Sequence, residues 1–183
     1  MKFLFVLTTI LISIHLLADS SAPKEESRTS EYKSVVIFAL RHAEKASGGV
    51  DPELTEAGKE RAEALATMLR DAGIEFVHSS PYTRTQNTVL PYSKKSGVGI
   101  EEYDPRKLSS LVEKIRKTGG RHLVVGHSNT TPALIKLLTG KGVDPINEKK
   151  EFDRLYLVTV DKEGKSNCIL IRYGKPFTPM PHK

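Results

Sequence analysis

The sequence predicts an α/β fold, a three-layer α/β/α sandwich with a mostly parallel central sheet. Short runs of Val, Ile and Leu alternate with segments whose apolar residues recur at helical spacing. The runs are continuously apolar, which is typical of parallel strands buried on both faces. Because this alternation extends from about residue 35 to residue 172, we expect one domain without internal repeats.

The first half of the domain predicts two strand–helix units. Pro91 falls inside the second helix, where we expect it to kink or shorten that helix because proline removes a backbone donor. Thr55 can cap the first helix and Gly73 can end it. The predicted elements are strand 35–40, helix 55–73, strand 74–78 and helix 82–93.

The second half predicts two more units and then a hairpin. Leu108, Leu111, Val112 and Ile115 form one apolar side of its first helix. The predicted elements are strand 100–103, helix 105–117, strand 121–126, helix 131–138, and strands 154–160 and 167–172 around a turn at 161–164.

The N-terminus has the pattern of a secretory signal peptide, with a basic start, an apolar stretch and small residues at a cleavage site. We therefore predict a signal peptide at 1–20, a flexible lead at 21–33, the domain at 34–174 and a Pro-rich tail at 175–183. The apolar stretch is shorter than the roughly 20 residues of a membrane span. We expect export, periplasmic or secreted, without stable membrane insertion after cleavage; an uncleaved anchor is the alternative.

Composition excludes several classes of function. The single cysteine, Cys168, rules out an intramolecular disulfide and C-x-x-C chemistry, and its apolar surroundings predict a small buried side chain. The net charge of +6 suits an anionic partner. Because the basic residues are scattered and not interleaved with aromatic residues, we expect no nucleic-acid binding.

Polar side chains follow three of the predicted strands at the point where each ends. Arg41 and His42 follow the first, Ser79 and Ser80 lead from the second toward Arg84, and His127 follows the fourth. Ligands of open α/β sheets bind outside the carboxyl ends of the strands. Guanidinium groups suit phosphate because they stay charged and donate in a fork, so the sequence predicts a phosphate site.

Histidine beside arginine indicates a nucleophile. The charge of neighbouring guanidinium groups should keep His42 neutral, which leaves one ring nitrogen free to attack phosphorus. A protonated second histidine would stabilise the charge that develops on the phosphoryl oxygens. We expect His78 and His122, which lie within strands, to be structural.

Four motifs in this order resemble the histidine phosphatase superfamily, the phosphoglycerate-mutase-like proteins. The resemblance covers about residues 35 to 172. It is carried by Arg41-His42-Ala43-Glu44, Leu54-Thr55-Glu56-Ala57-Gly58, Ser79-Ser80-Pro81-Tyr82-Thr83-Arg84 and Val125-Gly126-His127-Ser128-Asn129.

The resemblance implies a role for each matching residue. His42 would become phosphohistidine, and His127 would be the second histidine of the phosphate pocket. Arg41, Arg84, His127, Ser128 and Asn129 would bind the substrate's phosphate. The resemblance implies no metal and no cofactor, and the histidines also lack metal-ligand spacing.

The proton donor is less defined than the phosphate site. The family's donor is an acidic residue after the second helix, and the candidates here are Glu101, Glu102 and Asp104. We predict Asp104, because it lies at the end of a strand. Ala43 also departs from the family pattern, since it stands where the common triplet has glycine.

Three residues near these motifs have structural alternatives. Thr55 and Gly58 are expected to cap and pack a helix. Glu44 could orient the loop after His42 or pair with Lys45.

The leading hypothesis is a metal-independent phosphatase that acts on a small phosphorylated substrate through a phosphohistidine. One alternative is a phosphohistidine phosphatase. Another is a catalytically silent protein that binds phosphate or a phosphosugar. A mutase is disfavoured, because the chain lacks long insertions to enclose a sugar phosphate and carries an export signal.

Overall fold

The computed structural model describes residues 33–176, which form one six-stranded sheet and four helices. The strands are β1 (Val35–Arg41), β2 (Phe76–Ser79), β3 (Ile100–Glu102), β4 (Gly120–Gly126), β5 (Arg154–Val160) and β6 (Ser166–Arg172). The helices are α1 (Glu56–Met68), α2 (Thr83–Ser96), α3 (Leu108–Thr118) and α4 (Thr130–Thr139).

The sheet has the strand order β3-β2-β4-β1-β5-β6. Strands β1 to β4 are parallel to one another, β5 pairs antiparallel with β1, and β6 pairs antiparallel with β5. This arrangement confirms the predicted α/β class and its mostly parallel sheet.

Helices cover both faces of the sheet and bury a separate core on each. On one face, Ile37 and Ala39 of β1 pack with buried side chains of α3 and α4. On the other, Leu40 packs with side chains of α1 and α2, among them Leu65 and Tyr92. Burying one large aliphatic side chain stabilises a fold by about 1.5 to 3 kcal/mol, so β1 is anchored from both sides.

Helix α2 differs from its prediction. It runs to Ser96 with Pro91 inside it, whereas we expected Pro91 to kink it or to end it near residue 93. Val89 and Tyr92, on either side of Pro91, are buried in the core. Their burial offsets the hydrogen bond that proline removes from the helix.

The register of β1 and β4 determines where the functional residues meet. Arg41 lies opposite Gly126, and the backbone N–H of His42 donates to the Gly126 carbonyl at 2.9 Å. The residues that follow the two strands, His42 and His127, therefore lie side by side at the carboxyl edge of the sheet.

The predicted signal peptide, nearly all of the predicted lead and most of the predicted tail lie outside residues 33–176. Within that range, no helix combines the length and apolar character that crossing a bilayer requires.

Candidate active site

A cavity of about 490 Å³ opens at the carboxyl edge of the sheet, and its lining is strongly polar. Five of the seven predicted site residues line it: His42, Arg84, His127, Ser128 and Asn129. Its remaining lining comes from Lys45, Tyr82, Pro105, Arg106, Thr130 and Glu148.

His42 is buried and presents one free ring nitrogen. Its Nδ1 lies 2.7 Å from the Ala43 carbonyl oxygen, which can only accept, so Nδ1 carries the proton. Burial lowers the pKa of His42 to about 3, and the positive charges of Arg41 and Arg84 contribute to the lowering. The ring is therefore neutral at physiological pH with the Nε2 lone pair available, although burial rather than neighbouring charge is the larger cause.

Arg41 lies behind His42, is only 1% exposed and does not line the cavity itself. Its Nη1 donates to the carbonyl oxygens of Asn147, Glu148 and Glu151 at 3.0 to 3.3 Å, and its guanidinium stacks over Phe152 at 4.2 Å. Its Nε and Nη2 are buried without a hydrogen-bond partner among the described residues. Burial lowers the pKa of Arg41 to about 10, which still leaves it charged at neutral pH.

Arg84 lies in the first turn of α2 and faces the cavity. Its guanidinium stacks over Tyr82 at 4.5 Å, and its Nη1 lies 3.3 Å from the carboxylate of Asp51. Its Nε is also buried without a partner in residues 33–176. Asp51 in turn accepts from the backbone N–H of Thr83 at 2.9 Å, so it ties the loop after His42 to the start of α2.

His127 is held by Ser80 and faces Arg84. Arg84 Nη2 lies 3.4 Å from His127 Nδ1 and can only donate, so Nδ1 accepts and Nε2–H donates to Ser80 Oγ at 2.9 Å. Burial, with contributions from the charges of Arg84 and Arg41, lowers the pKa of His127 to about 4. His127 is thus neutral at physiological pH, whereas the sequence hypothesis used its protonated form.

Helix α4 starts directly after His127 and points its N-terminus toward the cavity lining. Asn129 is the N-cap, and its side chain accepts from the Thr130 backbone N–H at 2.9 Å. Unpaired N–H groups and the helix dipole at such an N-terminus favour an anion. Ser128 and Asn129 line the cavity beside this N-terminus, and their role in binding phosphate stays a prediction.

Gly126 lies in close packing beneath His127. A Cβ at this position would lie 2.7 Å from Thr130 Oγ1 and 2.8 Å from the Tyr103 hydroxyl oxygen. A larger residue would push against these two side chains, which hydrogen-bond to the His127 N–H and to the Val125 carbonyl.

Asp104, the predicted proton donor, does not line the cavity that contains His42. It lines a neighbouring cavity with Glu102, and Arg106 donates to both of its carboxylate oxygens at 3.0 and 3.1 Å. Strand β3 is an edge strand, with β2 and β4 between it and β1. At about 4.8 Å per strand spacing, its end lies roughly 14 Å from the end of β1.

The other two acidic candidates also have partners elsewhere. Glu101 accepts from Lys114 Nζ at 2.7 Å, and Glu102 accepts from the Gln86 side chain at 2.6 Å. The hydrogen bonds of Asp104 with Arg106 hold its pKa below the usual range, which opposes a role as acid. The structure therefore brings none of the three together with His42.

The loop after His42 is fixed by a buried ion pair. Arg61 donates to the Glu44 carboxylate at 2.8 to 3.0 Å through two nitrogens, so Glu44 orients the loop and does not pair with Lys45. Thr55 caps α1 by accepting from the Gly58 N–H, and Gly58 packs directly on the Glu44 backbone. Thr55 and Gly58 thus have the structural roles that we expected.

Sequence reasoning did not single out Asp51 and Glu148. Asp51 lies in a Gly/Pro loop, and Glu148 lies in the polar segment between α4 and β5. Neither segment has an apolar period, and neither residue belongs to a motif. The sequence indicates only that both are acidic residues in loops between elements of the sheet domain, which is too little to place them at the carboxyl edge of the sheet.

Within residues 33–176, no group of three or more His, Cys, Asp or Glu side chains is arranged to hold a metal ion. The charges of Arg41 and Arg84 act on His42, which suits an anionic ligand.

Comparison with known families agrees with this geometry. The model of the histidine phosphatase superfamily (branch 1) matches residues 37–107, a range that includes His42 and Arg84. Residues 37–107 of this chain therefore resemble the histidine phosphatase superfamily. The part of the superfamily model that matches ends before β4, so His127 is placed by the fold rather than by that match.

Several solved structures share the fold of this chain at low sequence identity. The protein histidine phosphatase SixA, in complex with tungstate, aligns with a TM-score of 0.63 and 20% identity over 75% of this chain and 96% of its own. A phosphoglycerate mutase from Bacillus anthracis aligns with a TM-score of 0.61 and 19% identity over 79% and 95%. A mycobacterial glucosyl-3-phosphoglycerate phosphatase gives 0.58 and 14% over 77% and 99%.

No curated protein sequence matches the chain significantly. The superfamily match, together with phosphatases among the proteins of the same fold, supports the prediction that the chain is an enzyme of the phosphatase type.

Proposed function

We propose that the protein is a metal-independent phosphomonoester hydrolase that works through a phosphohistidine at His42. One observation carries the proposal. A neutral, buried histidine with Nε2 unprotonated lies close to the guanidinium groups of Arg41 and Arg84. Among residues 33–176, three buried nitrogens of these groups have no hydrogen-bond partner, two on Arg41 and one on Arg84. Leaving a buried donor unpaired costs about 1 to 3 kcal/mol, and more for a charged group, so an acceptor-rich ligand is the natural partner of this site.

The first chemical step is attack by His42 Nε2 on phosphorus. The new N–P bond forms as the bond from phosphorus to the ester oxygen breaks, and the electron pair leaves with that oxygen. Arg84, Arg41 and the N-terminus of α4 stabilise the charge on the phosphoryl oxygens. Water then attacks phosphorus, releases phosphate and restores His42.

His127 would change its protonation state when phosphate binds. Its Nδ1 accepts from Arg84 in the free protein, and a bound dianion would favour a proton on that nitrogen. Binding should therefore raise the pKa of His127 from about 4 and should take up a proton. A protonated His127 then has the role that the sequence hypothesis gave it.

Metal independence follows from the charges around the site. Arg41, Arg84 and Lys45 supply positive charge close to His42, which is what a metal would supply in a metal-dependent phosphatase. The same charges would repel a cation.

The substrate would be a small phosphorylated molecule outside the cytoplasm. The pattern of residues 1–20, with its basic start, apolar stretch and small residues, supports export to the periplasm or beyond. The polar, open cavity suits a hydrophilic phosphomonoester.

A phosphohistidine phosphatase is the second candidate function, and the position of Asp104 favours it. With Asp104 outside the cavity of His42, a substrate whose leaving group needs little help from an acid would be handled best. Phosphohistidine is such a substrate, and a protein histidine phosphatase shares the fold.

The test is hydrolysis of an aryl phosphate by the purified protein in the presence of a chelator. We expect turnover that survives the chelator and releases one phosphate per phenol, because water is the acceptor. Phosphate transfer to an added sugar alcohol in place of release would indicate a mutase. Tight phosphate binding without any turnover, on aryl phosphate and phosphohistidine alike, would indicate a silent binding protein and contradict the proposal.

A further inference from the structure

Among residues 33–176, the cavity that contains His42 has one carboxylic acid in its lining, and that acid is Glu148. The other lining residues are histidine, lysine, arginine, tyrosine, serine, threonine, asparagine and proline. An alkoxide is a poor leaving group unless a positioned acid protonates it. The search for a proton donor in this cavity therefore leads to Glu148.

The backbone of Glu148 is fixed with respect to the phosphate site. Its carbonyl oxygen accepts from Arg41 Nη1 at 3.0 Å, and the carbonyls of Asn147 and Glu151 accept from the same nitrogen. The Glu151 carboxylate accepts from the backbone N–H of Asn147 at 3.0 Å, which closes the turn. The segment 147–151 is thus attached to the arginine that precedes His42.

The carboxylate of Glu148 is uncommitted, unlike those of the other acids near the site. Asp51 is bound by Thr83 and Arg84, and Asp104 is bound by Arg106. Glu148 makes no side-chain hydrogen bond or ion pair with residues 33–176, while its charge acts on Arg41 more strongly than that of any other acid. Its carboxylate therefore lies near the phosphate site and is not held by another side chain of residues 33–176.

We propose that Glu148 is the acid–base residue of the reaction, in place of Asp104. In the first step, the Glu148 carboxyl gives its proton to the ester oxygen as the bond from phosphorus to oxygen breaks. In the second step, the Glu148 carboxylate takes a proton from the water that attacks the phosphohistidine. The proton that left in the first step is thereby restored, and the residue returns to its starting state.

The test uses Glu148→Gln and two phosphate esters with different leaving groups. This inference rests on the proposed phosphohistidine mechanism, so phosphoenzyme formation and product release are both measured by rapid quench. With an alkyl phosphate, we expect phosphoenzyme formation to fall by about 100- to 10,000-fold, the usual scale of general acid catalysis. With a nitrophenyl phosphate, whose leaving group needs no proton, formation should stay near the unmodified rate while hydrolysis of the phosphoenzyme slows.

Two further variants make the result specific. Glu163→Gln changes an exposed glutamate in the turn between β5 and β6 and should leave both rates unchanged. Asp104→Asn tests the rival acid. An alkyl phosphate rate that is unchanged in Glu148→Gln would overturn the inference, whether or not Asp104→Asn is impaired. Absence of any phosphoenzyme in the unmodified protein would overturn the phosphohistidine mechanism and this inference together.

Discussion

Two pairs of neighbouring histidines lie within residues 33–176, and only one of them is placed to perform chemistry. The rings of His42 and His127 lie 5.6 Å apart at the carboxyl edge of the sheet. The rings of His78 and His122 lie 5.3 Å apart within neighbouring strands and are stacked. Burial is the main cause of a lowered pKa in all four, so a shifted pKa does not distinguish the pairs.

The pairs differ in how their hydrogen bonds are satisfied. His122 Nε2 donates to the Gly119 carbonyl at 2.9 Å, and His122 Nδ1 accepts from His78 Nε2 at 3.0 Å. The remaining nitrogen, His78 Nδ1, lies 3.4 Å from the Glu101 carboxylate. The neutral His78 ring carries its proton on Nε2, so the lone pair of its Nδ1 faces another acceptor. The Nε2 of His42 instead lies close to the guanidinium groups of Arg41 and Arg84, which have buried nitrogens without a hydrogen-bond partner among residues 33–176. Cationic donors without partners beside the ring, rather than burial or pKa, mark the functional pair.

The largest expected effect comes from replacing the reactive histidine. His42→Ala should lower kcat for aryl phosphates by at least about 10,000-fold, since loss of a nucleophile removes the pathway and not one interaction. Thermal unfolding should change little, because His42 makes its one side-chain hydrogen bond with the adjacent Ala43. Steady-state kinetics and calorimetry check this. A His42→Ala protein with substantial turnover would show that His42 and His127 are no more catalytic than His78 and His122.

We expect a smaller loss of activity when the guanidinium group of Arg84 is replaced. Arg84→Lys keeps the positive charge but loses the Nε donor and the contact with His127 Nδ1. We expect kcat/KM to fall by roughly 100-fold, the scale of one lost donor to a developing oxyanion. Arg70→Lys, in an exposed pair with Asp71, is the matched control and should have no effect. Equal activity of Arg84→Lys and the control would exclude the fork from the site.

Replacing His78 and His122 should lower the stability of the fold and leave the activity unchanged. His122→Phe leaves His78 Nε2 and the Gly119 carbonyl without their partner, which should lower the free energy of unfolding by about 1 to 3 kcal/mol. Adding His78→Leu removes the donor that would otherwise have no partner. The double variant should therefore lose less free energy of unfolding than the two single variants lose in sum. Denaturant titration measures this, and kcat should be unchanged in protein that remains folded. Strict additivity would show that the two rings do not depend on each other.

Both pairs should make stability depend on pH in the same direction. The folded-state pKa is about 3 for His42 and about 4 for His78 and His127, against about 6.5 in the unfolded chain. Between pH 4 and 6.5 the unfolded chain binds more protons, so stability rises with pH across this window and is lost as pH falls through it. Unfolding free energies at pH 4.5, 5.5 and 6.5 should show the slope, and the double variant His78→Leu, His122→Phe should reduce it. A flat profile would contradict the burial of these rings.

Much of the fold could be predicted because local sequence patterns mark where its strands and helices begin and end. Strand β5 has the predicted bounds, Arg154–Val160, and β1 differs by one residue. Their continuous apolar runs end at charged or polar side chains, which is a local property. Helix α2 was predicted too short because the penalty of Pro91 is local, whereas the burial of Val89 and Tyr92 that offsets it depends on tertiary packing.

The site was predictable where strand ends determine it. His42, Arg84 and His127 come together because β1, β4 and β2 are neighbours with their carboxyl ends at one edge. Asp104 also follows a strand, β3. The local sequence does not predict the order of strands in the sheet, and β3 is the edge strand, so Asp104 lies away from His42. Glu148 lies in a loop whose position depends on donors from Arg41, a contact across more than a hundred residues that no local pattern indicates.

The most direct test of the account is to trap the phosphoenzyme. The protein is mixed with an aryl phosphate, quenched at alkaline pH within its first turnovers and digested for mass spectrometry. The account predicts one acid-labile phosphoryl group on the peptide that contains His42, and none in His42→Ala. Turnover in which the phosphoryl group is found on another residue, such as His127 or His78, or never on the protein, would contradict it.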